Sequence, residues 1–450
     1  MPDSKKPQLP PSQPAGLLGG HIRAFWRDRL GFLERQAALG DVSFFRMGSQ
    51  RGYFINHPDL VRDMLVVNAH KFVKGRALQR AKTLLGEGLL TSEGEFHLRQ
   101  RRMIQPAFHR TRIEEYARSM VERAECAADR WHDDDVLDVD QEMMHLTLQI
   151  VAKTLFNADI TDEADEIGAA MTTLVELFNF LLLPYSEWLE KLPIPQSIRS
   201  KRAIKTLDKV MYGIINERRR SGRDEGDLLS MLLMTQDETD GSAMSDEQVR
   251  DETLTLFLAG HETTANALTW TWYLLSQNPN AEENLHAELN TILSGRTPAV
   301  ADLPNLRYTE AVLAESMRLY PPAWAIGRLA IEQHEFGGYS VAPGSLVLAS
   351  QFITHRDAHF WENPNNFLPE RWETHSVKEA GQHYIYFPFG GGGRRCIGES
   401  FAWTEGILLL ATLARKWKFS LVAGQRIGLN PQITLRPKYG MRMKIHARLT

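Results

Sequence analysis

Cysteine is almost absent from this chain: 450 residues include two, Cys126 and Cys396. Two thiols cannot build a disulfide framework, an all-thiolate structural zinc site or, unaided, an iron–sulfur cluster. An excess of one charge is also missing. The 52 Lys and Arg are matched by 56 Asp and Glu, leaving a net charge of −4, which excludes a global nucleic-acid-binding surface. Long apolar runs are lacking too. The longest, residues 174–183, is broken by Glu176 and Asn179 and stopped by Pro184, too short to span a bilayer. The first fourteen residues are polar and proline-rich, without the apolar centre of a signal peptide. These absences predict a soluble, cytoplasmic protein with no transmembrane anchor and no nucleic-acid partner.

What remains has ordinary globular proportions, 43% apolar and 24% charged, which exclude wholesale disorder and fibrous structure. Helical periodicity dominates. The pattern predicts a helix near residues 22–38, a strand pair at 42–47 and 53–56 around Gly48, Ser49 and Gly52, and a helix after Pro58. Residues 70–92 read as a glycine-punctuated connection, the kind of segment that often carries binding residues. Helices then follow almost to Tyr320. In one of them, residues 113–131, Cys126 reads as a small packed side chain.

Residues 245–277 contain no proline and one glycine. Ser245 and Gln248 make a capping box, with Asp246 and Glu247 in the first turn, and Asn278-Pro279 ends the run. At 1.5 Å per residue this is a rod of about 50 Å. Leu254, Leu256, Phe257, Leu258, Ala259 and Ala267 make it apolar nearly all round, as for a helix through the middle of a large domain. Beyond Pro321, residues 325–352 alternate like strands, 361–388 are irregular and aromatic, and a last helix at 398–416 precedes a strand-like tail. The expected organisation is a proline-rich lead, residues 1–20, and one integrated domain, residues 21–450, mainly α with a smaller β portion.

Cys396 follows Phe389 and four successive glycines, then Arg394 and Arg395, and precedes Ile397-Gly398 and a helix. Glycines let the backbone approach something flat and bulky. A cysteine at a helix N-terminus beside two arginines is biased towards thiolate, which is a nucleophile or a metal ligand. The loop is not a dinucleotide site: its spacing is wrong, Pro388 precedes it and no βαβ pattern surrounds it. Within the long helix, Ala259-Gly260-His261-Glu262-Thr263-Thr264 places a carboxylate and hydroxyls that need partners or a function. A mid-helix glycine costs about 1 kcal/mol relative to alanine and marks a close approach or a distortion. The zinc-protease pattern H-E-x-x-H fails here, because its fifth position is Ala265. Asp134, Asp135 and Asp138 fit the D-D-x-x-D pattern of magnesium-dependent terpene cyclases, but no second such motif follows, and a solvated acidic turn is the simpler reading. Glu315 and Arg318 share a helix face at i,i+3, and Arg371 lies in the irregular stretch before the cysteine loop.

Together these motifs resemble the cytochrome P-450 superfamily of haem-thiolate monooxygenases. The pattern F-x-x-G-x-R-x-C-x-G is met by Phe389, Gly392, Arg394, Cys396 and Gly398; [AG]-G-x-[DE]-T-[ST] by Ala259, Gly260, Glu262, Thr263 and Thr264; and E-x-x-R by Glu315 and Arg318. Order and spacing agree from about Phe44 to the C-terminus. The resemblance implies a single-domain P-450 fold with haem b between the long central helix and the cysteine-loop helix, and O2 as co-substrate. Cys396 becomes the axial ligand of the iron, with electron donation that favours O–O cleavage. Phe389 packs beside it, Ala259, Gly260 and Gly398 lie against the haem, and Arg101, Arg328 and Arg394 pair its propionates. The family often has tryptophan four residues before the first of these arginines; here it is His97. Glu262 and Thr263 manage protons, on a helix the family commonly distorts at the Gly260 position. Glu315, Arg318 and Arg371 form a structural network.

For substrate, residues 86–92 resemble the segment above the haem in bacterial fatty-acid hydroxylases, with Leu90 facing the iron. Trp324, Ala325 and Ile326 fall where the family lines its pocket. An apolar cavity suits a small hydrophobic substrate, fatty acids as first expectation and terpenoids or steroids as second. Lys74, Arg76, Arg80 or Lys82 could anchor a carboxylate, although loop charges are more often solvated. With no room after the haem region for a flavin or ferredoxin module, electrons are expected from a separate ferredoxin or flavodoxin with its reductase. Arg99, Arg102, Arg110, Arg112 and Arg395 would make its docking patch. Three other classes differ in what they need: a cysteine hydrolase a histidine base beside Cys396, a terpene cyclase magnesium and no haem, and a haem-binding sensor neither Glu262 nor Thr263.

Overall fold

The computed structural model describes residues 8–16, 19–160, 164–181, 192–235, 241, 243–374 and 376–448. The first seven residues of the proline-rich lead, and Pro184 at the end of the longest apolar run, lie outside these. The protein is mainly helical with a smaller β portion. Ten helices among the described residues reach ten residues or more: α1 (Arg76–Leu85), α2 (Gly94–Ile104), α3 (Arg110–Ala128), α4 (Val139–Phe156), α5 (Ala164–Leu181), α6 (Pro195–Ser221), α7 (Asp246–Gln277), α8 (Pro279–Leu293), α9 (Arg307–Leu319) and α10 (Glu399–Lys416). The strands are β1 (Val42–Met47), β2 (Gln50–Ile55), β3 (Phe72–Lys74), β4 (Val136–Asp138), β5 (Ile326–Ala330), β6 (His334–Phe336), β7 (Tyr339–Val341), β8 (Leu346–Ala349), β9 (Trp417–Leu421), β10 (Leu429–Pro431), β11 (Leu435–Pro437) and β12 (Arg442–Ala447). Contacts divide the chain into two compact units. One holds the residues up to Gln79, Met317–Asn366 and Arg371–Cys396; the other holds Arg80–Ser316, Phe367–Glu370 and the residues from Ile397 on.

The first unit is built on a five-stranded sheet of order β1-β2-β8-β5-β3. Gly48, at φ +63°, turns β1 back onto β2 through a two-residue loop. Only the β2–β8 pair is parallel. Phe44, Tyr53, Phe72, Phe336 and Val347 fill the core beside the sheet. The described part of the lead lies along β1, where the Phe44 N–H donates to the Pro11 carbonyl at 2.8 Å. The helix expected over residues 22–38 is two helices, Ile22–Arg27 and Arg29–Ala37. Asp28 divides them: its extended backbone lets the side chain cap the second helix through the Gly31 N–H at 3.0 Å.

The second unit is organised by α7. Its capping box forms as the spacing predicted: the Gln248 N–H donates to Ser245 Oγ at 3.2 Å and the Ser245 N–H to Gln248 Oε1 at 2.9 Å. At the far end Asn278 Nδ2 donates to the Leu274 carbonyl at 2.8 Å before Pro279 begins α8. Between the caps the helix is buried on nearly every side, packed by α4, α6, α10 and β9. Three of its buried hydroxyls are satisfied internally: Thr253, Thr269 and Thr271 each donate to the carbonyl four residues back, at 2.7, 2.8 and 2.7 Å. A second sheet, β4-β12-β9, and the hairpin β10–β11 complete the unit.

Three local readings change. Residues 70–92 are not one connection, because they include β3 and α1; the Gly86–Ser92 part alone is loop. Cys126 is exposed. The apolar face of α3 runs through Ile113, Ala117, Met120, Ala124 and Ala127, and position 126 falls on its wet side. The acidic stretch after Asp133 is partly ordered rather than only solvated: Asp138 ends β4 and caps α4, and Asp134 pairs with Lys444 at 2.8 Å. No described helix is long and apolar enough to cross a membrane. The ring of Trp272, 1% exposed, lies 4.3 Å from that of Phe419. Trp272→Ala should therefore destabilise the protein by about 3–5 kcal/mol in urea unfolding followed by circular dichroism.

Candidate functional site

In the first unit the site is the loop that carries Cys396. Gly390 and Gly392 take φ +71° and +63°, where a side chain is strained. A Cβ on Gly392 would stand 1.9 Å from the Leu65 carbonyl oxygen, and one on Gly391 would stand 2.3 Å from the Tyr384 hydroxyl. The loop closes on itself: the Cys396 N–H donates to the Phe389 carbonyl at 2.9 Å and the Arg395 N–H to that of Gly392 at 3.1 Å. Cys396 is exposed, and Phe389 and Arg394 are half-buried.

His355, not identified from the sequence, anchors the stretch before the loop. It is fully buried, and the Phe387 N–H donates to its Nε2 at 2.9 Å. Burial first, and the nearby Arg318 and Arg356 charges second, push its pKa well below the usual range, so the ring is neutral and can accept. Arg318 Nη1 donates to the carbonyls of His355 at 2.6 Å and Pro364 at 2.7 Å, and Nη2 to that of Asn366 at 3.1 Å. Arg371 reaches the carbonyls of Glu362 and Asn363, and both guanidinium groups lie over the Trp361 ring. Trp324, Ala325 and Ile326 lead into and begin β5, with Ile326 against Gly390 and Arg328 two residues on.

In the second unit the motif on α7 makes a gap in the otherwise buried stretch 249–272 of that helix. Ala259 is exposed and Gly260 and Thr263 are half-buried, while their neighbours on either side are covered. Gly260 marks close approach, since a Cβ there would meet Val151 of α4 at 2.9 Å. The expected distortion is not seen: α7 is helical throughout, and Thr263 Oγ1 donates to the Ala259 carbonyl at 2.9 Å. Glu262 is 2% exposed and points the other way. Its Oε1 accepts from Arg436 Nε at 3.0 Å and from the Thr434 hydroxyl. Asn266 Nδ2 donates to Thr434 Oγ1 at 3.2 Å, and Trp270 Nε1 to the Leu435 carbonyl at 2.9 Å. Positions 262, 266 and 270, one turn apart, thus stitch β11 to α7.

The Gly86–Ser92 loop is held by the same helix. Asp251 accepts from the Glu87 N–H at 2.7 Å and Glu252 from the Leu89 N–H at 2.8 Å. A Cβ on Gly86 would lie 2.1 Å from the Asp251 carboxylate, and one on Gly88 would lie 2.2 Å from the Thr255 hydroxyl. Leu90, next in line, is half-buried. Lys82 pairs with Glu87 at 2.6 Å, and Lys74 is buried, not a solvated loop charge. His97 is buried on α2, with Arg101 one turn further on. Glu315 accepts from the Leu368 N–H at 3.0 Å. Gly398 precedes α10 and lies against Phe108. Of the arginines in the expected docking patch, Arg110 pairs with Glu114 and Arg112 with Glu115, so that patch is less positive than its arginines alone suggest.

The Cytochrome P450 family model matches residues 10–443. The chain belongs to that family. Cyclooctatin synthase of Streptomyces melanosporofaciens is 40% identical over 94% of this chain and 92% of its own length. Cyclooctat-9-en-7-ol 5-monooxygenase of the same organism is 39% identical over 90% of this chain and 88% of its own. Pentalenene oxygenase of Streptomyces avermitilis is 35% identical over 93% and 91%. This P450 is a monooxygenase, and the family implies haem and O2. The residues present fit that group: an exposed thiol on a loop too tight for side chains, and a stripe of small residues open on a helix covered elsewhere.

One further acid faces the interior here. Glu405 on α10 is fully buried; Thr264 favours its charged form, yet neither carboxyl oxygen makes a hydrogen bond of good geometry. Burial therefore dominates and pushes the carboxyl up to about 8. The folded state keeps a proton that the unfolded state loses near 4.5, so this group's stabilisation falls as pH rises towards 8 and levels off above it. Glu405→Gln removes that dependence. The stability of the native protein relative to the variant should drop by a few kcal/mol between pH 5 and pH 8 in urea titrations.

Proposed function

We propose that this P450 binds haem b through the Cys396 thiolate and inserts one atom of O2 into a terpenoid-type substrate. When bound, haem supplies O2 binding and its activation with two electrons. The chain's own residues do the rest. Cys396 holds the group, with Phe389 beside it. Arg101, Arg328 and Arg394, with His97 as a further donor, neutralise its propionates. Ala259, Gly260 and Gly398 offer small surfaces for a flat ring. Glu315, Arg318 and Arg371 keep the cysteine loop in shape and touch no substrate. Thr263 presents a hydroxyl beside the reacting oxygen, and the Glu262 carboxylate behind it relays protons from solvent. Leu90, Trp324, Ala325 and Ile326 give the substrate apolar walls.

The observation that carries this reading is the exposed Cys396 at the end of the four-glycine loop, in a chain of this family. Terpenoids move ahead of fatty acids for two reasons. Relatives of 35–40% identity are named for pentalenene and cyclooctat-9-en-7-ol, neither name an acid. Of the cations that could hold a fatty-acid carboxylate, Lys82 is already paired with Glu87. Electrons come from a separate ferredoxin or flavodoxin and its reductase, docking through Arg102 and Arg395 among others.

Binding titrations test the substrate. Terpene hydrocarbons and alcohols should shift the Soret band of the ferric protein at micromolar concentrations. Tighter binding of long-chain fatty acids would reverse the assignment. Cys396→Ala should lose the strongly red-shifted Soret band of the reduced carbon monoxide complex, together with all monooxygenase activity. Thr263→Ala should keep substrate binding and reductant consumption while product per reductant falls several-fold and hydrogen peroxide rises. Glu262→Gln should instead slow turnover, by about 10²-fold. Measuring reductant, peroxide and product for each variant separates the two roles.

A further inference from the structure

α4 meets the motif of α7 with two residues one turn apart. Val151 fills the space beside Gly260, where a Cβ would meet it at 2.9 Å. Thr147, one turn earlier, is fully buried, and its Oγ1 donates across to the His261 carbonyl at 3.0 Å. The same Oγ1 lies 2.8 Å from the Met143 carbonyl oxygen and 3.4 Å from that of Met144, both on its own helix. A hydroxyl has one hydrogen to give, so these three acceptors compete for it.

None of the three needs it while both helices are intact. α7 is helical through this turn, so the His261 carbonyl takes the Ala265 N–H. α4 is helical too, and the Met143 carbonyl takes the Thr147 N–H. The cross-helix bond becomes necessary when the bond from Ala265 to His261 breaks, because a buried carbonyl left without a donor is costly. Two carbonyls earlier in the same stretch have a second donor as well. Thr263 Oγ1 donates to that of Ala259 at 2.9 Å, and His261 Nδ1 to that of Phe257 at 2.8 Å. A carbonyl can only accept, so Nδ1 carries the ring hydrogen. Of these three donors Thr147 alone comes from outside α7, and it stays in place when the helix moves.

We propose that Thr147 is a positioning residue for proton delivery: its hydroxyl is a donor held in reserve, which lets α7 open at the bond between His261 and Ala265. The inference rests on the reading of Glu262 and Thr263 as the groups that handle protons. In the closed helix their side chains are bonded apart, Glu262 to Arg436 and Thr434, Thr263 to the Ala259 carbonyl. Opening frees the Ala265 N–H to bind water in the same turn as Thr263, and a proton relayed by Glu262 gains a route round the helix. Gly260, beside His261, gives the backbone the freedom to move.

Hydrogen exchange at single amides of the haem-loaded protein tests this, since the Ala265 amide exchanges when the turn opens. A bond that braces the closed helix and a donor held for the open one predict opposite signs. In Thr147→Val the closed helix keeps its backbone bonds while the open one leaves the His261 carbonyl without a donor. Ala265 should then exchange about tenfold more slowly than in the native protein, with the Thr269 and Thr271 amides unchanged. Thr147→Ser should restore the native rate, and Thr147→Ala serves if the valine variant folds poorly. With electron donors, Thr147→Val should keep the native carbon monoxide spectrum and substrate affinity, while product per reductant falls several-fold and peroxide rises; Thr147→Ser should recover coupling. Faster or unchanged exchange at Ala265 would mean that Thr147 only braces the helix, and would overturn the proposal. Slower exchange with native coupling would overturn the role in proton delivery. If Thr263→Ala and Glu262→Gln kept native coupling and rate while Ala265 slowed in Thr147→Val, the proton reading would fail and the reserve donor would stand.

Discussion

A helix covered on nearly all sides must find an internal partner for each polar side chain it carries. That constraint on α7 accounts for much of the second unit. Threonine hydroxyls turn back onto the helix's own carbonyls. Asp251 and Glu252 accept from the backbone of the Gly86–Ser92 loop. Glu262, Asn266 and Trp270 bind β11. Each solution to a burial problem fixes a neighbouring segment, so the segments around the open stripe at Ala259, Gly260 and Thr263 are set by the demands of the helix. The Cys396 loop obeys a different rule. It has few side chains to pack, and its shape comes from backbone hydrogen bonds and from glycines pressed against Leu65 and Tyr384.

Buried ionisable groups divide into two kinds. Arg318 is fully enclosed yet spends its donors on backbone carbonyls, which makes it a brace for the irregular segment before the cysteine loop. Glu405 is enclosed with neither oxygen in a hydrogen bond of good geometry, and its pKa rises to about 8. A group of the first kind only stabilises, whereas one of the second kind can change protonation near physiological pH, a property found more often at working sites than in scaffolds.

What could be read from the sequence was whatever local chemistry encodes. The caps of α7, the glycine loop before Cys396 and the alternation of β5 to β8 each lie within a short window and have one good structural solution. Cys126 was misread because one residue of phase on α3 separates its apolar face from its wet face. Residues 70–92 hid α1 because the flanking glycines outweighed a short amphipathic pattern. The partners of Glu262 could not be found at all: Thr434 and Arg436 lie more than 170 positions away, and nothing local marks a threonine as a future donor. His355 escaped for the same reason, since a lone histidine takes its meaning from the backbone brought beside it. The polar residues at 262, 266 and 270 were visible, and their four-residue spacing on a buried helix was the available clue to a docked strand.

The Gly86–Ser92 loop is gripped by α7 through the N–H groups of Glu87 and Leu89. Anchoring of this kind does not depend on the side chain at 90, while Gly86 and Gly88 have no latitude at all. Variation in this loop is channelled: the side chain at Leu90, the wall proposed for the substrate, can be recut for molecules of another shape while its frame stays in place.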